Sequence, residues 1–159
     1  MDPAELAEEE ARLVFGRFDE DTALQLGIAL VELAWAAALP VVIDIRTPDR
    51  TLFHAALPGS SPDTDDWARR KSATALRFHK SSLRVGAELR AKDRSLAYQG
   101  LSVADFADHG GAVPVRVAGV GVVAVATVSG LPQREDHALV VKAIDQMLAA
   151  EAAHQAETP

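Results

Sequence analysis

Apolar residues recur every three or four positions from Leu24 through Ile28, Val31, Trp35 and Leu39, the period of a helix that turns one face to a core. Asp19 stands ahead of this run with Thr22 at its third turn position, and Asp19, Glu20 and Asp21 put negative charge at the positive end of the helix dipole. Pro40 ends the pattern. The period then becomes two, with Val41, Ile43 and Ile45 on one side of a strand, and beyond the turn TPDR a second strand, TLFHAAL, completes an antiparallel hairpin. PGSSPDTDDW is irregular and offers two helix starts, Ser61 with Pro62 at the first helical position or Asp63 with Asp66 three residues on. The helix it opens places Trp67, Lys71, Thr74 and Phe78 on one face, so that a lysine lies between two aromatic rings.

LRVGAELRAK reads as a further helix, and SVADFADHGG as a short one capped by Ser102 with Asp105 and ended by Gly110 in the left-handed conformation. VPVRV and GVGVVAVATVS, joined at Ala118 and Gly119, are rich in valine and nearly free of charge, as central strands are. Gly130 ends the second of them. Pro132, Glu135 and Asp136 suit a first helical turn, and Val140, Val141, Ile144, Met147 and Leu148 form the apolar face of a last helix reaching about residue 152. Upstream, residues 1–18 form a helical arm with a thin apolar stripe of Leu6, Leu13 and Val14. The element order is not an alternating βα repeat. It predicts one α+β domain over 19–152, with helices packed on an antiparallel sheet of at least four strands, and a flexible tail over 153–159.

A chain of 159 residues with 48% hydrophobic content fills one ordinary core. It has no cysteine, which removes disulfides, thiolate metal sites and a cysteine nucleophile and suits a reducing, cytoplasmic location. The acidic start, MDPAELAEEEAR, is unlike a secretion signal. Glu32, Pro40 and Asp44 interrupt the most apolar stretch, so no membrane partner is expected.

The net charge of -7 is unevenly spread. From Arg69 to Arg94 nine cations face two acids, a local excess that would suit a carboxylate- or phosphate-bearing molecule or an acidic surface on another subunit. Nucleic acid is not expected, because the segment holds a single aromatic residue, Phe78, in an acidic chain.

No standard catalytic motif is present. HGGAVPVRVAG lacks the spacing of a phosphate loop, VSGLP is not a nucleophile elbow, and no two histidines have zinc-site spacing. What remains is a set of groups that folding would have to assemble. His54, His79, His109 and His137 each fall at or near the end of an element, Asp136 can orient or charge His137, and Ser129 closes a strand. With Arg69, Arg70 and Lys71 they suggest an anion pocket or a haem contact. Lys71 either runs its stem past Trp67 and Phe78 to water or points at a ligand over the sheet.

LFHAALPGSSPDTDDWARRK and FADHGGAVPVRVAGVGVVAVATVSGLPQREDHALVVKAI resemble the UPF0303-type proteins of the haem-degrading, HbpS-like and GlcG-like superfamily. The resemblance covers about Asp19 to Leu148, and its most specific parts are HGG at His109, Gly110 and Gly111 and GLPQ at Gly130–Gln133 followed by Asp136 and His137. It implies a profilin-like sheet of about five strands flanked by helices, assembly into homo-oligomers, and pattern positions at Asp44, at Arg70 with Lys71, and at Val128–Gly130 with Asp136. Some relatives bind or degrade haem; others accompany glycolate or propanediol metabolism. Three readings follow: a homo-oligomeric domain binding a small anionic molecule or haem, an accessory oligomer without a ligand, and an enzyme using Asp136 and His137 as a base beside an arginine clamp.

Overall fold

The computed structural model describes residues 1–157. Its elements are α1 (Pro3–Arg12), β1 (Val14–Phe15), α2 (Glu20–Ala36), β2 (Val42–Arg46), β3 (Thr51–Ala56), α3 (Pro62–Phe78), α4 (Ser82–Ala91), a 3-10 turn (Leu96–Gln99), β4 (Ala112–Val117), β5 (Gly121–Ser129) and α5 (Gln133–Glu157). The five strands lie in the order β1-β4-β5-β2-β3. Every pairing is antiparallel except β1 with β4, so the sheet is mixed where an antiparallel one was expected. The parallel strand comes from the N-terminal arm, which the sequence pattern assigned wholly to helix.

The two faces of the sheet differ in chemistry. Ile43, Ile45, Val113, Val115, Ala124, Ala126 and Val128 meet α2 and α5 in one apolar core. The opposite face, under α3, carries Asp44, Thr127 and Ser129 with Ala112 and Val125, all buried. There the Ser72 and Thr127 hydroxyls are 2.8 Å apart and Ser72 donates to the Ala68 carbonyl at 2.7 Å. Small, polar side chains let α3 approach closely, and their polar atoms must bond across the interface because no water reaches them.

The face of α2 is rotated from the expected one. Ala23, Leu26, Gly27, Leu30 and Ala34 are buried, whereas Leu24, Ile28 and Trp35 are 49%, 45% and 66% exposed. Both stripes have helical spacing, and the contact that selects between them is at Gly27, where a Cβ would lie 2.4 Å from the Phe53 ring. Only the glycine face lets β3 come that close.

Asp19 caps α2 as expected, accepting from the Thr22 amide at 2.9 Å and the Thr22 hydroxyl at 2.8 Å. These bonds, the backbone one foremost, hold its carboxyl down to about 2. The folded value lies below the unfolded one, so the stability this cap contributes is present above about pH 4 and lost as pH falls toward about 2. Asp19→Asn keeps a capping side chain without the titration. Thermal melts from neutral to strongly acidic pH should show the wild-type protein losing its advantage over this variant across that interval.

Two further expectations change. SVADFADHGG is not a helix: a turn near Val103–Asp105 is held by α3, with Arg69 Nη2 donating to the Ala104 carbonyl at 2.8 Å and the Ala107 amide donating to the Thr74 hydroxyl at 3.1 Å. Tertiary partners replace the helical bonds, and the left-handed glycine is Gly111, not Gly110. The last helix runs to Glu157 instead of fraying at 152; of the expected tail, Thr158 and Pro159 lie outside the described residues. Among the described residues no helix is long and apolar enough to cross a membrane.

Candidate functional site

The register of the sheet brings α3, the end of β5 and the start of α5 to one place. Lys71, on the sheet-facing side of α3, is 4% exposed, and its Nζ donates to Asp136 Oδ2 at 2.9 Å. Asp136, fully buried in the first turns of α5, also accepts from the Leu131 amide at 2.9 Å and the Gly130 amide at 3.3 Å. One carboxylate thereby ties a helix, a strand end and a turn together. Burial pushes its carboxyl above the ordinary carboxylate range, against the Lys71 ammonium and the two amides.

In front of this pair lies a cavity of about 310 Å³. Trp67 and Lys71 of α3 form one wall; Ser129, Gly130 and Leu131 form another; His109 and Gln133 stand opposite. The Trp67 and His109 rings meet edge to face with centroids 5.3 Å apart. His109 Nδ1 is 3.2 Å from the Asp108 carboxylate. Ser129, the last residue of β5, is 2% exposed and lines the cavity. Gly110 donates its amide to Gln133 Oε1 at 2.9 Å, and Gly111 packs its backbone against Val128 and the Lys71 side chain. No side chain larger than hydrogen fits at Gly111 without moving the lysine or the strand.

Of the residues nominated from the sequence, Trp67, Lys71, His109 and Ser129 line the cavity, while Gly110, Gly111 and Asp136 form its support. Arg70 lies outside it, its guanidinium 4.0 Å from the centre of the Trp67 ring and its Nε 2.9 Å from Asp66. Phe78 does not join Trp67 around Lys71; it packs at the far end of α3 with Val85, Leu89 and Leu96. The shared face predicted for Trp67 and Phe78 spans three turns, too far for both rings to reach one ammonium.

The histidines do not converge. His54 pairs through Nδ1 with Asp44 at 2.8 Å and through Nε2 with Asp65 at 2.9 Å, and Asp44, fully buried, also takes Arg46 Nε at 2.6 Å and Nη2 at 2.8 Å. That network follows from β2–β3 register, in which Asp44 and His54 are direct partners, and it pins the hairpin to α3. His79 ends α3 in the left-handed conformation. His137 turns away from Asp136 and places Nε2 2.5 Å from Glu9 of α1. Successive helical residues point about 100° apart, so the two cannot act as one base. Asp63, Thr64, Leu131 and Gln133 line the cavity without having been nominated. Leu131 and Gln133 belong to the GLPQ segment and are the two with a readable signal.

Part of the basic segment is engaged within the chain. Arg69 and Arg70 pair with Asp66, Lys71 with Asp136, Lys80 with Glu88, and Arg84 with both Glu88 and the buried Glu10 of α1, whereas Arg77, Arg90, Lys92 and Arg94 have no ion-pair partner among the described residues. The N-terminal arm of the same chain thus supplies an acid that had been expected from a neighbouring subunit.

The profile of a protein family described as "Haem degrading protein HbpS-like" matches residues 18–145. A UPF0303 protein of Acidobacterium capsulatum is 51% identical over 144 residues, covering 90% of this chain and 87% of that protein. The crystal structure of Ybr137w superposes with a TM-score of 0.87 at 30% identity, over 96% of this chain and 90% of the other. A double mutant of Streptomyces reticuli HbpS has the same fold, with a TM-score of 0.67 at 22% identity over 83% and 87% of the two chains.

Proposed function

This chain belongs to the HbpS-like family and, within it, to the UPF0303 proteins, and on that premise we propose that it is a homo-oligomeric domain binding a small anionic molecule in the Trp67–Ser129 cavity. The observation that carries the reading is the convergence of polar side chains on one cavity: Ser129, Lys71, His109 and Gln133 line it where α3, the end of β5 and the start of α5 meet. Convergent donors around a concave space of this size suit a small ligand whose anionic group they would share. The charge of Lys71 is met by Asp136, so affinity would come from oriented donors more than from net charge.

A haem-like ligand is the second reading, and His109 favours it. A carboxylate beside Nδ1, as Asp108 stands 3.2 Å from that of His109, leaves Nε2 for a ligand, an arrangement common among histidines that ligate metals. At about 310 Å³ the cavity would take an edge of a macrocycle and leave the rest across its mouth. Assembly is supported separately by α2, where Leu24, Ile28, Val31 and Trp35, spaced four, three and four residues apart, have the rhythm of a helix–helix seam.

One experiment addresses these readings together. In a Trp35→Phe background Trp67 is the sole tryptophan, and its fluorescence is followed while hemin, acetate, glycolate and phosphate are titrated, with size-exclusion light scattering on the unsubstituted protein. Saturable quenching lost in Lys71→Met supports the cavity as the binding site. A Soret shift abolished by His109→Ala assigns the ligand to the haem class. Silence for every probe on a monodisperse monomer rejects the proposal.

A further inference from the structure

A second cavity, of about 420 Å³, lies on the other side of α5, under α1 and beside α4. Its floor is apolar, made by Leu83 and Val141, and both are buried. Arg134 and Lys142 of α5 flank it, eight residues or about 12 Å apart along the helix, and neither has an ion-pair partner among the described residues. The acids nearby are engaged: Glu9 with His137, and Asp145 with Arg12. The hydrogen bond from His137 holds the Glu9 carboxyl below the usual carboxylate range, with burial opposing it. His137 itself is 3% exposed, and its Nδ1 is a buried polar atom with no partner.

An apolar floor between two unmatched cations, in the wall of which a buried imidazole nitrogen is also unmatched, is complementary to a molecule with an apolar body and an anionic head. We propose that this cavity is a second ligand site, distinct from the Trp67–Ser129 cavity, and that it takes a medium-chain amphiphilic carboxylate. The chain of the ligand lies on Leu83 and Val141, and its carboxylate is shared with Arg134 or Lys142. The proposal does not depend on the ligand of the first cavity, because the two sites have no lining residue in common. It also accounts for the division of the Asp136–His137 pair: one residue supports each cavity.

The test is calorimetric titration of the full chain with octanoate, octanol and acetate at neutral pH. Octanoate is expected to bind saturably, octanol about tenfold or more weakly for want of the charge–charge hydrogen bond, and acetate not at all for want of the apolar body. The exposed Ala138 also lines the cavity. Ala138→Phe should fill it and abolish octanoate binding without entering the core, and the double substitution Arg134→Gln, Lys142→Gln should bring octanoate down to the level of octanol. Trp67→Ala, at the first cavity, should leave octanoate affinity unchanged. Equal binding of octanol and octanoate, or undiminished binding in Ala138→Phe, overturns the proposal.

Discussion

Replacing Asp136 with alanine is expected to destabilise the fold by about 3–5 kcal/mol, the cost of leaving a buried charge without its partner. The partner is the Lys71 ammonium, 2.9 Å away on a side chain 5% exposed, and the Gly130 and Leu131 amides lose their acceptor as well. Lys71→Met is expected to cost less. Burial already lifts the Asp136 carboxyl above its ordinary value, and the Lys71 ammonium is the strongest of the groups opposing that rise, so a lone Asp136 can take a proton and become neutral. A carboxyl whose folded value is raised favours the fold most below its unfolded value near 3.8 and loses that contribution as pH rises through the folded value. Lys71→Met should accordingly be weakest at neutral and alkaline pH. The double variant Lys71→Met, Asp136→Leu should recover part of the loss, since it buries neither charge. Urea denaturation of the three variants checks the ranking; equal, small losses in both single variants would show that the pair contributes little.

Gly111→Ala is expected to cost about 3 kcal/mol or more. The residue has φ 141°, which L side chains rarely adopt, and an added Cβ would stand 2.3 Å from the Val128 carbonyl oxygen and 3.2 Å from Lys71 Nζ. The backbone carbonyl cannot move without opening β5, so relief would have to come from Lys71 and the cavity wall. Gly119→Ala is the control. Its φ of 74° is also left-handed, but nothing lies within 4 Å of the added carbon, and only the conformational penalty of about 1 kcal/mol applies. A Gly111→Ala variant no less stable than Gly119→Ala in urea would contradict the packing described here.

Most elements were legible because their signals are local. Asp19 with Thr22, Pro40, the two-residue period of Val41–Ile45, and Pro62 behind Ser61 each state a cap, a stop or a strand through their own steric and hydrogen-bonding demands. Where two stripes are equally periodic, the period alone does not choose between them. Leu24, Ile28 and Trp35 are as periodic as Leu26, Leu30 and Ala34, and larger, yet the smaller set is buried. The apolar stripe of the arm holds at Leu6 and Leu13 and fails at the exposed Val14; its further anchors are Phe15 and the buried Glu10, whose carboxylate receives Arg84 from 74 positions away and the Ser81 amide. A buried glutamate has no sequence signature of its own.

The cavity was half legible. Trp67, Lys71, His109 and Ser129 were identifiable as chemical candidates, and HGG and GLPQ marked where backbones approach, but the pairing of Lys71 with Asp136 joins residues 65 positions apart. Phe78, Arg70, His54 and His137 were grouped with them only by residue type and by proximity to element ends.

The sequence by itself determined the long helices and the four strands β2–β5, that there is one α+β core, and the prolines that bound its helices, because propensity, capping and hydrophobic period act within a few residues. The tertiary structure alone decided the parallel edge strand, the face that α2 buries, the pairing of five cations of the basic segment with acids of other segments or turns, and the separation of Asp136 and His137 onto two sides of α5. Those outcomes depend on which buried charges and ring contacts meet across the fold, and the energy of such a contact exists only once distant segments are brought together.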